Sequence, residues 1–171
     1  LGLPDLSGPA VCRKLREETR VPIVVLTARH SEREMVQVLN AGADDYVTKP
    51  FSAPVLVARV QAQLRRSQLY RSSAPDTIRI GDLVLDTRSQ EAYCSGVLLP
   101  LTTREYALLE FMARRAGQVI TRGDIAEHVW DNSYDPLSNV IDVYVRRLRA
   151  KLTPGGCQDV IRTRRGAGYM L

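Results

Sequence analysis

The sequence predicts two small units in series. The first is an α/β unit on a parallel sheet; the second is an α+β unit with an N-terminal antiparallel sheet, a helix-turn-helix and a C-terminal hairpin. Three observations predict this. Residues 22–48 alternate a continuous apolar run, a helical pattern and a second short strand, as parallel sheets do. Residues 78–101 hold four short strand-like runs divided by turn residues, and residues 102–171 hold three helical patterns followed by a Gly-rich hairpin. Between the units, residues 67–76 (SQLYRSSAPD) are polar, Ser-rich and Pro-containing, so the expected division is 1–66, a linker at 67–76, and 77–171.

In the first unit, Pro22-Ile23-Val24-Val25-Leu26 is an apolar run ending at Thr27-Ala28. Residues 31–40 follow as a helix capped by Ser31, with Glu34 at the third helical position and closure near Gly42. Tyr46-Val47-Thr48 is a short strand leading into Lys49-Pro50-Phe51, and residues 52–69 form a helix with Val55, Leu56, Ala58, Val60, Ala62 and Leu64 as its apolar positions. In such sheets functional groups gather at the carboxyl ends of strands, where Thr27 and Lys49 both stand.

The second unit opens with strand-like runs at 78–80, 83–85, 91–94 and 97–101. Thr102-Thr103-Arg104-Glu105 fits a capping box, and Tyr106, Leu109, Met112, Ala113 and Ala116 then recur at helical spacing until Gly117. Thr121 caps a second helix whose Ile125, Ala126, Val129 and Trp130 point inward, and a polar turn at 131–136 leads to the third. At about 100° per residue, Ile141, Val145, Leu148 and Leu152 share one side of that third helix, with Tyr144 at its margin. The opposite side carries Asn139, Val143, Arg146, Arg147 and Ala150, flanked by Asp142 and Arg149.

Residues 138–171 hold seven Lys and Arg against two acids, a surplus as large as the +5 of the whole chain. Small, amide and guanidinium side chains on an open helix face suit a major groove: Arg bonds guanine or phosphate, Asn bonds adenine, and Val meets a thymine methyl. The same pattern describes a solvated amphipathic helix, and the hairpin beside it decides between the two. There Thr163 lies among Arg162, Arg164 and Arg165, ahead of Gly166-Ala167-Gly168, whose glycines allow a tight turn. A basic hairpin next to a groove-reading helix acts as a wing, its arginines reaching phosphates or the narrower groove.

Taken together, LTTREYALLEFMARRAGQVITRGDIAEHVW, VIDVYVRRLRAKL and TRRGAGY resemble the winged-helix effector domain of OmpR/PhoB-type response regulators over residues 77–171. The resemblance implies a DNA-binding transcriptional regulator of a two-component phosphorelay that reads direct-repeat sites with a recognition helix at 138–152 and a wing at 160–171. It assigns Arg146, Arg147 and Arg149 to groove and backbone, Arg165 to the wing, and Trp130 to a place near a phosphate, although a lone Trp at the end of an amphipathic helix also reads as a core anchor. With Asn139, Asp142, Val143, Thr163 and Arg164 these are the expected DNA-binding residues. Arg164 stands where the family usually has an apolar residue. The loop at 131–136 is placed as a contact for RNA polymerase.

VVLTA, GADDYVTKPF and LGLPDLSG resemble the receiver domain of the same regulators, a flavodoxin-like α/β fold. In that family a phosphorylated Asp lies four residues before the Pro of D-x-x-x-P, and counting back from Pro4 places it just ahead of Leu1. Thr27 and Lys49 match the residues that contact the phosphoryl group, and Tyr46 the aromatic that reorients on activation. The expected unit is thus a partial receiver that lacks its first strands, its phosphoacceptor and the acidic pair for Mg²⁺, a cofactor expected only of an intact receiver. A complete receiver would take its phosphoryl group from a cognate sensor histidine kinase. Asp44, Asp45 and Arg59 resemble the ion-pairing residues through which such receivers dimerise, which implies a homodimer on DNA.

Composition narrows the alternatives. Cys12, Cys94 and Cys157 lack metal-ligand spacing, and their odd number points to a reducing cytoplasm without a disulfide frame. The two histidines, His30 and His128, sit in no Cys or acidic cluster, so no metal is assigned. No apolar run approaches a membrane span of about 20 residues. No nucleophile, base and oxyanion constellation marks an enzyme. Two readings remain: a regulator that binds double-stranded DNA, and an interaction module whose basic helix docks an acidic protein surface.

Overall fold

A computed structural model describes residues 6–19, 21–28, 31–69, 77–130, 139–157 and 159–171, and its chain divides into two compact units, Leu1–Arg65 and Arg66–Leu171. The linker residues 70–76 and the turn at 131–138, which includes the expected polymerase loop and Ser138, lie outside the described residues.

The first unit runs α1 (Gly8–Glu18), β1 (Val24–Thr27), α2 (Glu32–Asn40), β2 (Asp45–Thr48) and α3 (Ala53–Leu69). Helix α1 has no counterpart in the sequence reading. Its local signals are short but present: Ser7 accepts from the Ala10 amide as N-cap, and Pro9 occupies the first turn, where its missing N–H is no loss. Helix α2 starts as expected, with the Glu34 amide donating to Ser31 Oγ at 3.3 Å, and Gly42 beyond its end has φ +110°. Strands β1 and β2 pair in parallel, Thr27 opposite Thr48. Helix α3 runs through Leu69, so the first residues of the expected linker are helical. Cys12, Val25, Val38, Ala41 and Ala43 form a small core, with Ile23 and Tyr46 packed against it. Val55, Val57 and Val60 are exposed on α3, and Leu26 on β1.

The second unit opens with a four-stranded antiparallel meander, β3 (Thr77–Ile80), β4 (Leu83–Asp86), β5 (Glu91–Cys94) and β6 (Val97–Leu98), in sequential order. Three helices follow: α4 (Thr103–Ala113), α5 (Arg122–Trp130) and α6 (Val140–Leu152). A single 3-10 turn at Thr153–Gly155 continues α6, and the hairpin β7 (Arg162–Arg164) and β8 (Gly168–Met170) ends the chain. The Thr102 capping box forms, Thr102 Oγ1 accepting from the Glu105 amide and the Glu105 carboxylate from the Thr102 amide at 2.8 Å. Helix α4 is buried on all sides, as a central helix should be. One expectation fails here. Cys94 and Cys157 are joined by a disulfide between the end of β5 and the segment after α6, a pairing of residues 63 apart that spacing does not reveal.

Candidate nucleic-acid interface

Helix α6 buries the side that its periodicity predicts. Ile141, Tyr144, Val145, Leu148 and Leu152 are all buried, and Tyr144 packs edge-on against Trp130 with ring centroids 5.2 Å apart. Full burial of such aliphatic side chains stabilises a fold by about 1.5–3 kcal/mol each. With that side fixed, the rest of the helix divides into two flanks and an outer face, and the structure uses the three differently.

One flank is tied to α4. Arg147 Nε lies 2.9 Å from Glu105 Oε1, and Lys151 Nζ lies 2.6 Å from Glu105 Oε2. A wholly buried carboxylate requires such partners, because an unpaired charge in a dry interior is costly. Arg147 was expected to reach the groove; its side chain is instead 13% exposed and serves Glu105 and the Tyr144 ring, 5.2 Å from its guanidinium carbon. Helical phase placed Arg147 with the outward-facing residues, but an acid on a neighbouring helix competes for its guanidinium.

The other flank is tied to the wing. Arg149 donates to the Ile161 carbonyl through Nε at 3.1 Å and Nη2 at 2.9 Å, and to Thr163 Oγ1 at 2.8 Å. Two turns earlier, Asp142 Oδ1 accepts from Arg122 Nη2 at 2.7 Å and from the Tyr169 hydroxyl. Burial, followed by the Asp142 carboxylate, pushes the Tyr169 hydroxyl up to about 12. Asp142, Arg149 and Thr163 therefore build the junction between helix and wing. Arg122 and Tyr169 complete it, and neither was singled out from the sequence. No local pattern marks them, because they lie 20 and 27 residues away from their partner Asp142.

The outer face keeps Asn139 and Arg146 exposed, with Ala150 beside them, whereas Val143 is 9% exposed and offers little surface to a thymine methyl. On the wing, Arg162, Thr163, Arg164 and Arg165 are all exposed. Trp130, assigned near a phosphate by resemblance, is 2% exposed and acts as a core anchor between Tyr144 and Arg104. The wing is itself fixed to the helices. Ile120 and Tyr169 exchange backbone hydrogen bonds of 2.8 and 2.9 Å, and a Cβ at Gly168, whose φ is +144°, would lie 2.1 Å from the Ile120 carbonyl oxygen.

In the first unit, Thr27 and Tyr46 line one cavity of 150 Å³ together with Ser31, Glu34, Met35, Val38 and Thr48. The Lys49 amide donates to the Thr27 carbonyl at 2.6 Å, which sets the exposed Lys49 beside the end of β1. Burial, then the neighbouring Asp45 charge, pushes the Tyr46 hydroxyl up. Asp44 and Asp45 are 1% and 2% exposed and bond within their own chain. Asp44 takes Arg16 and the Ile23 amide, and Asp45 takes Arg59 at 3.4 Å. In this arrangement those carboxylates neutralise cations of their own unit and do not stand open to a second copy. Among the described residues no group of three His, Cys, Asp or Glu side chains is placed to hold a metal. Thr27, Tyr46 and Lys49 supply no carboxylate, and Glu34 is the one acid lining the cavity that holds Thr27 and Tyr46, so the residues described there are too few in carboxylates to fit Mg²⁺.

Residues 1–61 match the family described as response regulator receiver domain, and residues 96–171 match transcriptional regulatory protein, C terminal. The chain is 43% identical over 172 residues to the phosphate regulon transcriptional regulatory protein PhoB of Rhizobium meliloti, covering 99% of this chain and 75% of that protein. Among solved structures, a RitR mutant is similar with a TM-score of 0.74 at 28% identity, over 98% of this chain and 75% of its own. The DNA-binding domain of Klebsiella pneumoniae RstA, solved in complex with the RstA box, is similar with a TM-score of 0.52 at 28% identity, over 57% of this chain and 97% of its own.

Proposed function

The chain belongs to the OmpR/PhoB-type response regulators of two-component systems, and from that premise we propose that it reads duplex DNA with the outer face of α6 and the wing. Asn139 and Arg146 enter the major groove, and Arg162, Arg164 and Arg165 hold phosphates or the neighbouring minor groove. The observation that supports this reading most directly is the Arg149 bridge to Ile161 and Thr163. It fixes the exposed helix arginine and the exposed wing arginines in one frame. Arg147 acts one step back, holding the helix against α4. Thr27, Tyr46 and Lys49 form the phosphoryl-responsive corner of the receiver. The protein works in the cytoplasm as a homodimer on direct repeats, with half-sites about one helical turn, ~10–10.5 bp, apart.

Fluorescence anisotropy against a panel of duplexes at several salt concentrations tests the reading. A steep fall of affinity with salt together with discrimination between sequences is expected. Weak, sequence-blind binding, or tighter capture by an acidic polypeptide than by any duplex, would sink it.

A further inference from the structure

We propose that Cys94 and Cys157 are a redox modification site, cycling between two thiols and a bridge that clips the end of α6 and the root of the wing to the antiparallel sheet. The two residues are buried, join the last position of β5 to the segment that follows the 3-10 turn, and are bonded to each other across a Cα separation of 6.3 Å. The packing around the bridge also offers a free thiol a partner. Gly155 lies flat against Cys94, where a Cβ would come within 2.6 Å of the Cys94 Cβ, and its carbonyl oxygen is 2.9 Å from Cys94 Sγ, ready to accept the proton of a free thiol. Ser95 Oγ donates to the same carbonyl at 3.0 Å, and the Cys157 amide donates to the Leu152 carbonyl at 3.1 Å. Those contacts keep the two sulfurs facing each other when they are reduced, so closing the bridge asks for no rearrangement of the chain.

Access is one-sided. Cys157 lines a cavity of 380 Å³ with Ile80, Asp159, Val160, Arg162 and Met170, whereas Cys94 is wholly buried behind it. A small peroxide therefore meets Cys157 first. The Cys157 thiolate attacks one oxygen of hydrogen peroxide, the O–O bond breaks, and hydroxide leaves and is protonated to water. The resulting sulfenic acid is then attacked by Cys94 sulfur, the S–O bond breaks and a second water leaves. Two thiols lose two electrons and the peroxide gains them. A dithiol reductant reverses the change by exchange.

The bridge joins residues 63 apart, and a link across so long a stretch removes much of the entropy of the unfolded unit. It should act on opening of the second unit and leave its folded geometry alone. Such a switch also reconciles a disulfide with a reducing compartment, because the pair would close there only under oxidative load.

The test uses the full chain, treated with hydrogen peroxide or with dithiothreitol, then denatured, alkylated and mapped as peptides by mass. Peroxide should join the Cys94 and Cys157 peptides and leave Cys12 as the one alkylated cysteine of the three. Dithiothreitol added to the folded protein should restore all three. The melting temperature of the oxidised form should exceed that of the reduced form by more than about 10 °C, and Cys157→Ser should abolish both the joined peptides and the shift. Three alkylated cysteines after peroxide, a bridge to Cys12, a bridge that native dithiothreitol does not open, or equal melting temperatures would each overturn the proposal, and all four are read on the wild-type chain.

Discussion

Arg147 of helix α6 is paired with Glu105 of helix α4 at 2.9 Å, and this contact turns a guanidinium that sequence assigned to DNA into a strut of the fold. Neighbouring arginines thus have different work. Arg147→Ala should destabilise the second unit by about 1–3 kcal/mol, Lys151 still screening Glu105, and should weaken all DNA binding through the displaced helix. Arg146→Ala, on the exposed face, should change stability by less than about 0.5 kcal/mol while weakening binding to the preferred site. Urea denaturation beside anisotropy separates the two; equal stability loss in both variants would contradict the assignment.

Arg164 and Arg165 should report through salt. Each Arg→Ala change at a true phosphate contact lowers the slope of log affinity against log salt by about 1. A slope untouched by both changes would remove the wing from the interface.

The junction between helix and wing should titrate in alkali. The Tyr169 hydroxyl is held at about 12, above its ordinary 10.0, by burial and by Asp142. A folded state that binds this proton more tightly than the unfolded chain is stabilised fully below pH 10 and loses that stability as pH rises toward 12. Tyr169→Phe, measured by thermal unfolding from pH 8 to 12, should show less loss over that interval than wild type. Parallel losses would mean that the proton on Tyr169 is not what links the wing to pH.

Gly168→Ala should cost more than about 2 kcal/mol, because the residue has φ +144° and its new methyl would collide with the Ile120 carbonyl. Gly166→Ala meets nothing within 4 Å and bears only the strain of φ +74°. The first variant should melt well below the second; the reverse order would refute the close approach of β8 to Ile120.

How much of this was legible depended on distance along the chain. Capping at Thr102 and Ser31 and the apolar stripe of α6 are set by neighbours three and four residues apart, and the sequence displays them directly. The winged arrangement followed from those elements together with the basic hairpin. Arg147, Asp142 and Trp130 were read as facing DNA, whereas their partners within the fold come from other elements, and a helical wheel shows which way a side chain leaves the axis but not who meets it there. Asp44 and Asp45 were read as available charges for the same reason, with Arg16 on the unassigned α1 taking the first of them. The bond between Cys94 and Cys157 belongs to this class as well.

The two-way backbone contact between Ile120 and Tyr169 fastens the wing to the segment ahead of α5, and the Arg149 bridge to Ile161 and Thr163 fastens it to α6, so helix and wing act as one calliper. A calliper fastened at two points favours the duplex whose groove spacing already matches its opening. Selection among operators then falls partly on how readily a stretch of DNA narrows or bends at base pairs that no side chain touches.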